Sequence, residues 1–314
     1  MLIRLWGVRG SVPTPPTTAQ YRDKLRQVLK LSAGRSFESD SDADAFIESL
    51  DDSLKYLLGG NTTCIEVVAN DTRLIFDMGS GIRELGNHLL KSADPLNEMH
   101  IFISHTHWDH IQGWPFFKPA YMPKYKMNFY SPHGNFEQRL TEQQEFKFFP
   151  VSLNFMASKK EYKEFPPETS LEINGIKIKN LELHHPGKSY GYRVEYQGKV
   201  FVFASDSEYN NFTTQKFQKF IDFFGKADII VFDAQYSFDQ EMQRVDWGHS
   251  SAFVGVDLAM QAEAKTLILF HHEPDNDDFE IYSLFSKSVQ YKNDNYPGHD
   301  LEIFLAREGQ VFEI

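Results

Sequence analysis

The 314-residue sequence contains one cysteine, Cys64, which excludes an intramolecular disulfide and a cysteine-rich zinc site. It has no apolar run of the length that crosses a membrane. Its first residues, MLIRLWGVRG, lack the apolar core and small-residue cleavage site of a signal peptide. These absences together predict a cytoplasmic protein without a membrane partner.

Positive charge is also scarce. The sequence has 32 Lys and Arg against 44 Asp and Glu, a formal net charge of -12, and no long basic run. Because an acidic surface repels polyanions, extensive binding of duplex nucleic acid or tRNA is disfavoured. The charge therefore favours a small substrate over RNA, although RNA stays possible.

What the sequence has in quantity is short apolar segments that end in turn residues. Segments rich in β-branched and aromatic residues predict strands; they include CIEVVA, RLIFDM, MHIFIS, KVFVFAS, ADIIVFDA and TLILFH. The QGK turn between YGYRVEY and VFVFAS indicates a hairpin. Interspersed helical patterns then favour the α/β class.

Helical periodicity is clearest in residues 20–31, 42–58 and 249–265. Residues 14–58 are predicted as a helical insertion between the first strand and GGNTTC. No linker or repeat divides the rest, so one domain over residues 1–314 is expected. The apolar face of the first helix comprises Tyr21, Leu25, Val28 and Leu29, and that of the second comprises Phe46, Ile47, Leu50, Leu54, Leu57 and Leu58.

The segment SHTHWDH places His105, His107, Asp109 and His110 directly after an apolar strand. A continued strand would turn His110 away from the other three, and a helix would turn His107 away from Asp109. A loop that curls into the first turn of a helix can instead serve two ions. Imidazole and carboxylate suit Zn²⁺, Mn²⁺ or Fe²⁺, and burying four such groups without an ion is costly. A polar turn or a helix cap with incidental histidines is the alternative.

Two ions need more ligands, and three later strand ends carry suitable residues. Taken singly, each signal is weak, because an Asp after a strand is more often a helix cap and a His pair is more often ordinary surface. Taken with HxHxDH, they supply what a binuclear site requires. The residues are His184 and His185, Asp206, and His271 and His272.

Ten stretches between the start of the chain and about residue 275 carry a family resemblance. They are GVRGS, GGNTTCIEV, LIFDMGSGIRELG, IFISHTHWDHIQGWPFF, YSPHG, HHPGKSYGYRVE, FVFASDS, ADIIVFDAQY, WGHSSA and LILFHHEP. In these motifs the sequence resembles the metallo-β-lactamase fold superfamily, and within it the branch of RNase Z-type nucleases and related phosphodiesterases. The resemblance implies a four-layer αβ/βα sandwich with metals at one edge between two sheets.

The resemblance also implies two divalent ions, Zn or Mn, with Fe possible. Carried over by position, one ion would be held by His105, His107 and His185, the other by Asp109, His110 and His271, with Asp206 bridging both. His185 is preferred to His184 for its spacing from Gly191, and His271 is preferred to His272 because it directly follows the strand.

Two further positions match the family. Asp77 in LIFDMG resembles a carboxylate that orients metal ligands without binding metal, a turn cap being the alternative. His249 in WGHSSA matches a position that neutralises the substrate phosphate or protonates the leaving group, a place at a helix N-terminus being the alternative. Together with Asp109, His249 is the expected catalytic residue.

The implied activity is that of a binuclear metal-dependent hydrolase that uses a hydroxide bridging the ions. Two divalent ions, offset by Asp109, Asp206 and the hydroxide, leave about one net positive charge, which favours an anionic substrate.

Cys64 lies upstream of the metal motif, unlike the Cys ligand of one lactamase subclass. The motif is HxHxDH and not the HxExD of the diiron oxygen-reducing branch.

The short QGK hairpin leaves no place for the long arm with which short RNase Z enzymes usually grip tRNA. We therefore expect a phosphodiesterase acting on small phosphodiesters such as cyclic nucleotides. An RNase Z-like RNA endonuclease and a thioesterase or lactonase are the alternatives.

The resemblance further implies a homodimer. Residues 14–58 and 134–170 could form a lid or wall over the site, with core packing or a dimer contact as the equal alternative.

Overall fold

A computed structural model describes residues 1–92, 94–209 and 213–314. Within these residues, the strands form two seven-stranded sheets. The first contains, in spatial order, β14 (Val311–Glu313), β1 (Leu2–Gly7), β2 (Cys64–Ala69), β3 (Thr72–Phe76), β4 (Glu98–Phe102), β5 (Lys126–Ser131) and β6 (Lys159–Glu164). The second contains β13 (Glu302–Leu305), β12 (Thr266–Phe270), β11 (Ile229–Asp233), β10 (Lys199–Ala204), β9 (Ser189–Tyr196), β8 (Ile176–Leu183) and β7 (Ser170–Ile173).

Each sheet is antiparallel on one side and parallel on the other. Strands β3 to β6 are parallel in the first sheet, and β10 to β13 are parallel in the second. Strands such as β3 and β11 are buried along their whole length, which explains why their sequences are continuously apolar and do not alternate. Parallel strands of this kind need helices on their outer faces.

The helices described are α1 (Thr18–Leu31), α2 (Asp40–Glu48), α3 (Asp52–Lys55), α4 (Gly81–Lys91), α5 (Trp108–Ile111), α6 (Phe136–Gln143), α7 (Thr214–Phe224), α8 (Phe238–Gln243), α9 (Ala252–Gln261) and α10 (Asp278–Asn295). Short 3-10 helices cover Trp114–Phe116, Lys118–Tyr121 and Leu153–Phe155. No helix in the described ranges is both long and apolar enough to cross a membrane.

Aromatic side chains fill the space between the two sheets. The Phe76 ring lies 5.6 Å from that of Tyr192 and 5.9 Å from that of Phe203 on the opposite sheet. Outside the first sheet, α4 packs Ile82 and Leu85 into a second apolar cluster; outside the second sheet, α7 and α9 form a third. The layers therefore run helix, sheet, sheet, helix, which confirms the predicted αβ/βα sandwich.

The segment between β1 and β2 contains α1, α2 and α3, but its details differ from the predicted pattern. The continuous helix expected over residues 42–58 is interrupted after Glu48. It restarts at Asp52, where the Asp51 carboxylate accepts a hydrogen bond from the Ser53 N–H as a new N-cap. The N-cap residue Asp51 thus divides an amphipathic pattern that continues on both sides of it.

The apolar face of α1 points outward. Leu29 is 68% exposed and Tyr21 is 51% exposed, whereas Lys24, about one turn after Tyr21, is buried. The Lys24 ammonium donates to the Tyr56 carbonyl at 2.6 Å and to Asp278 Oδ2 at 2.9 Å. The ion pair with α10 thus sets the orientation of α1, because a buried ammonium requires its partner.

Asp278 connects the helical segment to the rest of the fold. Its carboxylate accepts hydrogen bonds from Arg9 Nη2 at 3.0 Å, from Lys24 Nζ and from the Leu58 N–H at 3.3 Å. Two residues after Arg9, the Ser11 N–H donates to Asp109 Oδ2 at 2.8 Å. The chain segment that carries Arg9 therefore also contacts a residue of the HxHxDH motif.

We expect Asp278→Asn to lower the free energy of unfolding by ~3–5 kcal/mol, because it leaves two buried cations without their shared anion. Urea denaturation followed by circular dichroism measures the loss. Asp275→Asn, at a nearby exposed position, is the matched control and should change the free energy by no more than about 0.5 kcal/mol. Equal losses in the two variants would contradict the role given to the network.

Candidate metal centre

The HxHxDH motif occupies a loop that begins where β4 ends and continues into α5. His105 lies in the loop, and His107 is the N-cap residue of α5 in an extended conformation. Asp109 and His110 lie in the first turn of α5. This change from extended to helical backbone over a few residues directs the four side chains toward two neighbouring points.

His105, His107 and His185 form the first group of potential ligands, with their ligand atoms within 4.8 Å of one another. His185 follows β8, and its Nε2 lies 3.0 Å from His107 Nδ1. Its Nδ1 is held 2.8 Å from the Gly248 carbonyl, so Nε2 faces the group. His107 is exposed to solvent, and the first group is therefore open on that side.

Asp109, His110, Asp206 and His271 form the second group. His110 Nε2 lies 3.2 Å from Asp109 Oδ2 and 3.1 Å from Asp206 Oδ2. His271 Nε2 lies 3.3 Å from an oxygen of each carboxylate. Asp206 also reaches the first group, with Oδ2 at 3.6 Å from His105 Nε2, so this carboxylate lies between the two groups.

The two rings of the second group, His110 and His271, are each oriented through the nitrogen that does not face the group. His110 Nδ1 lies 2.8 Å from Asp77 Oδ2, and Asp77 is itself fixed by hydrogen bonds from the Ser104 N–H at 2.7 Å and hydroxyl at 2.6 Å. His271 Nδ1 lies 3.0 Å from Gln235 Oε1. Such outer contacts select the ring tautomer that leaves Nε2 free to bind a metal, and this is the role predicted for Asp77.

The electrostatics of the second group call for a cation. Asp109 and Asp206 are buried, and among the described residues neither has a Lys or Arg within ion-pair distance. Burial lowers the pKa of His110, but Asp206, Asp109 and Asp77 outweigh it and raise that pKa well above its usual range. Two buried carboxylates therefore attract positive charge to this point.

The donor set fits a pair of divalent ions. Five imidazoles and two carboxylates surround the two points, which is the chemistry that Zn²⁺, Mn²⁺ and Fe²⁺ prefer. His105 Nε2 is buried and has no hydrogen-bond partner among the described residues. A buried ring nitrogen without a hydrogen-bond partner lowers the free energy of unfolding unless it binds an ion.

The two alternative histidines lie outside both groups. His184 is exposed at the surface, and its Nε2 pairs with Glu208 Oε1 at 3.2 Å. His272 is buried, with Nε2 2.8 Å from the Ala306 carbonyl, and burial lowers its pKa to about 3. The structure therefore brings His185 and His271, and not their neighbours, together with the HxHxDH motif.

His249 lies at the edge of the cluster. Its ring centroid is 5.1 Å from that of His185 and 5.2 Å from that of His271. Its Nδ1 lies 2.9 Å from Asp233 Oδ2. The preceding Gly248 has φ +85°, and a Cβ there would lie 2.2 Å from His185 Nδ1, so glycine is required for this close approach.

Sequence reasoning did not single out Asp233 or Gln235. Asp233 ends β11, and its carboxylate accepts hydrogen bonds from the Ser207 N–H and the Gln235 N–H as well as contacting His249. The available signal was its place as an acid at a strand end, the same signal that pointed to Asp206. Gln235, two residues further on, carries no comparable signal.

Comparison with known proteins agrees with this geometry. The family described as "Beta-lactamase superfamily domain" matches residues 72–272. The chain belongs to this family. It is similar to a ribonuclease Z of Picrophilus torridus, with 22% identity over 301 residues that cover 82% of this chain and 94% of the relative.

Solved structures of this superfamily share the fold. Human tRNase Z, short form, superposes with a TM-score of 0.64 at 17% identity, covering 100% of this chain and 99% of its own. Yeast PDE1 gives a TM-score of 0.64 at 12% identity with the same coverage. By its family, the chain is a metal-dependent hydrolase, and its relatives include proteins named ribonuclease Z. The expectation that RNA is disfavoured gains no support from these relatives.

We expect His185→Ala to remove about one equivalent of metal from protein loaded with Zn²⁺ or Mn²⁺, because the first group then keeps only two histidines. Mass spectrometry of the desalted protein measures the metal content. His184→Ala is the matched control, one residue away, and should retain the content of the parent protein. A loss in both variants would contradict the assignment of His185.

We expect Asp77→Asn to weaken metal binding roughly 10- to 100-fold, since an amide cannot hold His110 as the carboxylate does. Competition with a chelating dye measures the dissociation constants. Unchanged affinity would show that Asp77 acts only as a turn residue.

Proposed function

We propose that this protein is a binuclear metal-dependent phosphodiesterase that acts on small phosphodiesters, including cyclic nucleotides. The observation that carries the proposal is the position of Asp206 between two groups of ligand-type side chains. In this proposal, one ion is held by His105, His107 and His185, the other by Asp109, His110 and His271, and Asp206 contacts both.

The two ions, when bound, would supply Lewis acidity to a phosphate oxygen and lower the pKa of the attacking water. The residues of the chain do the rest. Asp77 and Gln235 hold His110 and His271 in their ring orientations, and Ser11 holds the Asp109 carboxylate through its N–H. A cluster already oriented in this way loses little free energy to reorganisation during the reaction.

His249 is proposed to give a proton to the leaving oxygen. Asp233 contacts its Nδ1, which leaves Nε2 as the atom that can face a substrate. Its side chain is 11% exposed and lies beside His185 and His271, within reach of a group held at the cluster. Asp233 acts here as a positioning residue, because it fixes the tautomer and orientation of the ring.

The hairpin between β9 and β10 supports a small substrate. Only Gln197 and Gly198 separate the strands, and both have positive φ, as a tight two-residue turn requires. No arm therefore extends from this hairpin to hold a folded RNA. The formal net charge of -12 also supports a small substrate, because it opposes long-range attraction of a polyanion.

An RNA endonuclease is the second candidate. The specific observation in its favour is the likeness to ribonuclease Z along 82% of the chain. The same cluster would serve both reactions, because each breaks a phosphodiester bond. A thioesterase or lactonase is a third use of the same chemistry, in which attack occurs at an acyl carbon.

We expect metal-loaded protein to hydrolyse 2′,3′- or 3′,5′-cyclic nucleotides with Mn²⁺ or Zn²⁺, and Asp109→Ala to abolish the activity. Product formation followed by chromatography measures it. Precursor tRNA and a thioester are assayed in parallel at the same metal loading. Cleavage of precursor tRNA alone would replace the proposal with the endonuclease, and cleavage of the thioester alone would replace it with the acyl hydrolase.

We expect His249→Ala to lower kcat about 10²- to 10⁴-fold for a phosphodiester with an alkoxide leaving group. The loss should be far smaller for a p-nitrophenyl ester, because p-nitrophenolate departs without a proton. Asp233→Asn should show the same dependence on leaving group with a smaller loss. Equal losses for both substrates, at unchanged metal content, would contradict proton donation by His249.

A further inference from the structure

An open groove lies beside the metal centre on the side of the HxHxDH loop. Its cavity volume is about 710 Å³. One wall comes from the loop and α5, and the others come from the 3-10 helix Trp114–Phe116, from α6 and from the segment that follows α6. Its main lining residues are Thr106, Trp108, Phe116, Arg139, Phe148 and Phe149.

The aromatic side chains of this groove are turned toward solvent. Trp108 is 83% exposed, Phe148 is 74% exposed and Phe116 is 55% exposed. The ring of Phe116 meets that of Phe149 edge to face at 5.5 Å. Core packing, one of the roles considered for residues 134–170, does not account for rings exposed to this extent. Grouped exposed aromatics next to polar groups mark a binding site.

The groove borders the loop that carries the HxHxDH motif. Thr106 alternates with His105 and His107 along the loop, and Trp108 lies between His107 and Asp109. Two of the lining residues, Thr106 and Trp108, are thus direct chain neighbours of proposed ligands, with about 3.8 Å between adjacent Cα atoms.

The groove also carries a cation. Arg139 Nη1 donates to Thr106 Oγ1 at 2.7 Å, which fixes the guanidinium at the wall. Among the described residues, no carboxylate lies within ion-pair distance of Arg139. A planar guanidinium beside exposed rings can both stack on an aromatic ring and contact a phosphate oxygen.

We propose that this groove is a nucleobase subsite, in which Phe116 and Phe148 stack on the base of a nucleoside-bearing phosphodiester. The inference rests on the proposed phosphodiesterase function and adds the residues that contact the base. Stacking of a base on an aromatic side chain tolerates any base, since each base has a π face. The subsite therefore selects nucleotides over simple phosphodiesters without selecting one base.

Two esters with one leaving group test the subsite. The p-nitrophenyl ester of thymidine 5′-phosphate carries a base, whereas methyl p-nitrophenyl phosphate carries none. We expect Phe148→Ala and Phe116→Ala each to lower the ratio of kcat/KM for the nucleoside ester to that for the methyl ester about tenfold. Phe148→Trp, which keeps a stacking surface, should retain the ratio.

The chain offers matched controls in the same segment. Phe146 and Phe155 are as exposed as Phe148 but do not line the groove. Phe146→Ala and Phe155→Ala should leave the ratio at its parent value. If all four alanine variants change the ratio alike, or none does, the subsite is overturned. If the groove variants lower both esters together and convert a dimer to a monomer in sedimentation, the groove is an interface between two copies, which also overturns it.

Failure of the proposed function gives a different result. In that case the parent protein hydrolyses neither ester. Binding of adenosine 5′-monophosphate, followed by quenching of tryptophan fluorescence, then tests the groove separately. Binding that weakens about tenfold in Phe148→Ala but not in Phe146→Ala supports the subsite, and absence of binding to the parent protein overturns it.

Discussion

The burial of Asp109 and Asp206 within 3.3 Å of the same two imidazoles is the constraint on which the site depends. Two carboxylates removed from water repel each other and require a cation, and neither Lys nor Arg contacts them within the described ranges. The surrounding histidines carry a positive charge only when protonated, and they are neutral when they bind an ion. In the proposed function, a pair of divalent ions supplies this charge, which would account for the number of ligand-type side chains that face two points.

The sandwich brings these groups together because strand ends from both sheets meet at one edge. The first sheet contributes Asp77 after β3 and the HxHxDH loop after β4, and the second contributes residues that follow β8, β10 and β12. Tyr192 of β9 donates its hydroxyl to the Ile103 carbonyl at 2.6 Å, which ties the HxHxDH loop to the opposite sheet. The aromatic layer between the sheets therefore sets the distance between the two halves of the site.

Substrate choice is separate from this metal chemistry. Phosphodiester cleavage needs only the cluster and a proton donor, so a small cyclic nucleotide and an RNA strand can use the same centre. What distinguishes them lies around the centre. The hairpin at Gln197 and Gly198 is a two-residue turn without an arm, and the groove lined by Trp108 and Phe148 borders the HxHxDH loop.

The sequence by itself determined the fold and the proposed ligands. Apolar strands that each end in His or Asp are a local pattern, and the family resemblance then selected His185, Asp206 and His271. Tertiary structure alone decided which groups orient those ligands. Gln235 contacts His271 because β11 pairs with β12, and Asp233 contacts His249 in the segment between α8 and α9; no local pattern reports either contact. The outward apolar face of α1 has the same origin, because Lys24 is buried by Asp278, a residue 254 positions away. Local periodicity indicates which side chains share a face, but the partner that covers a face comes from distant parts of the chain.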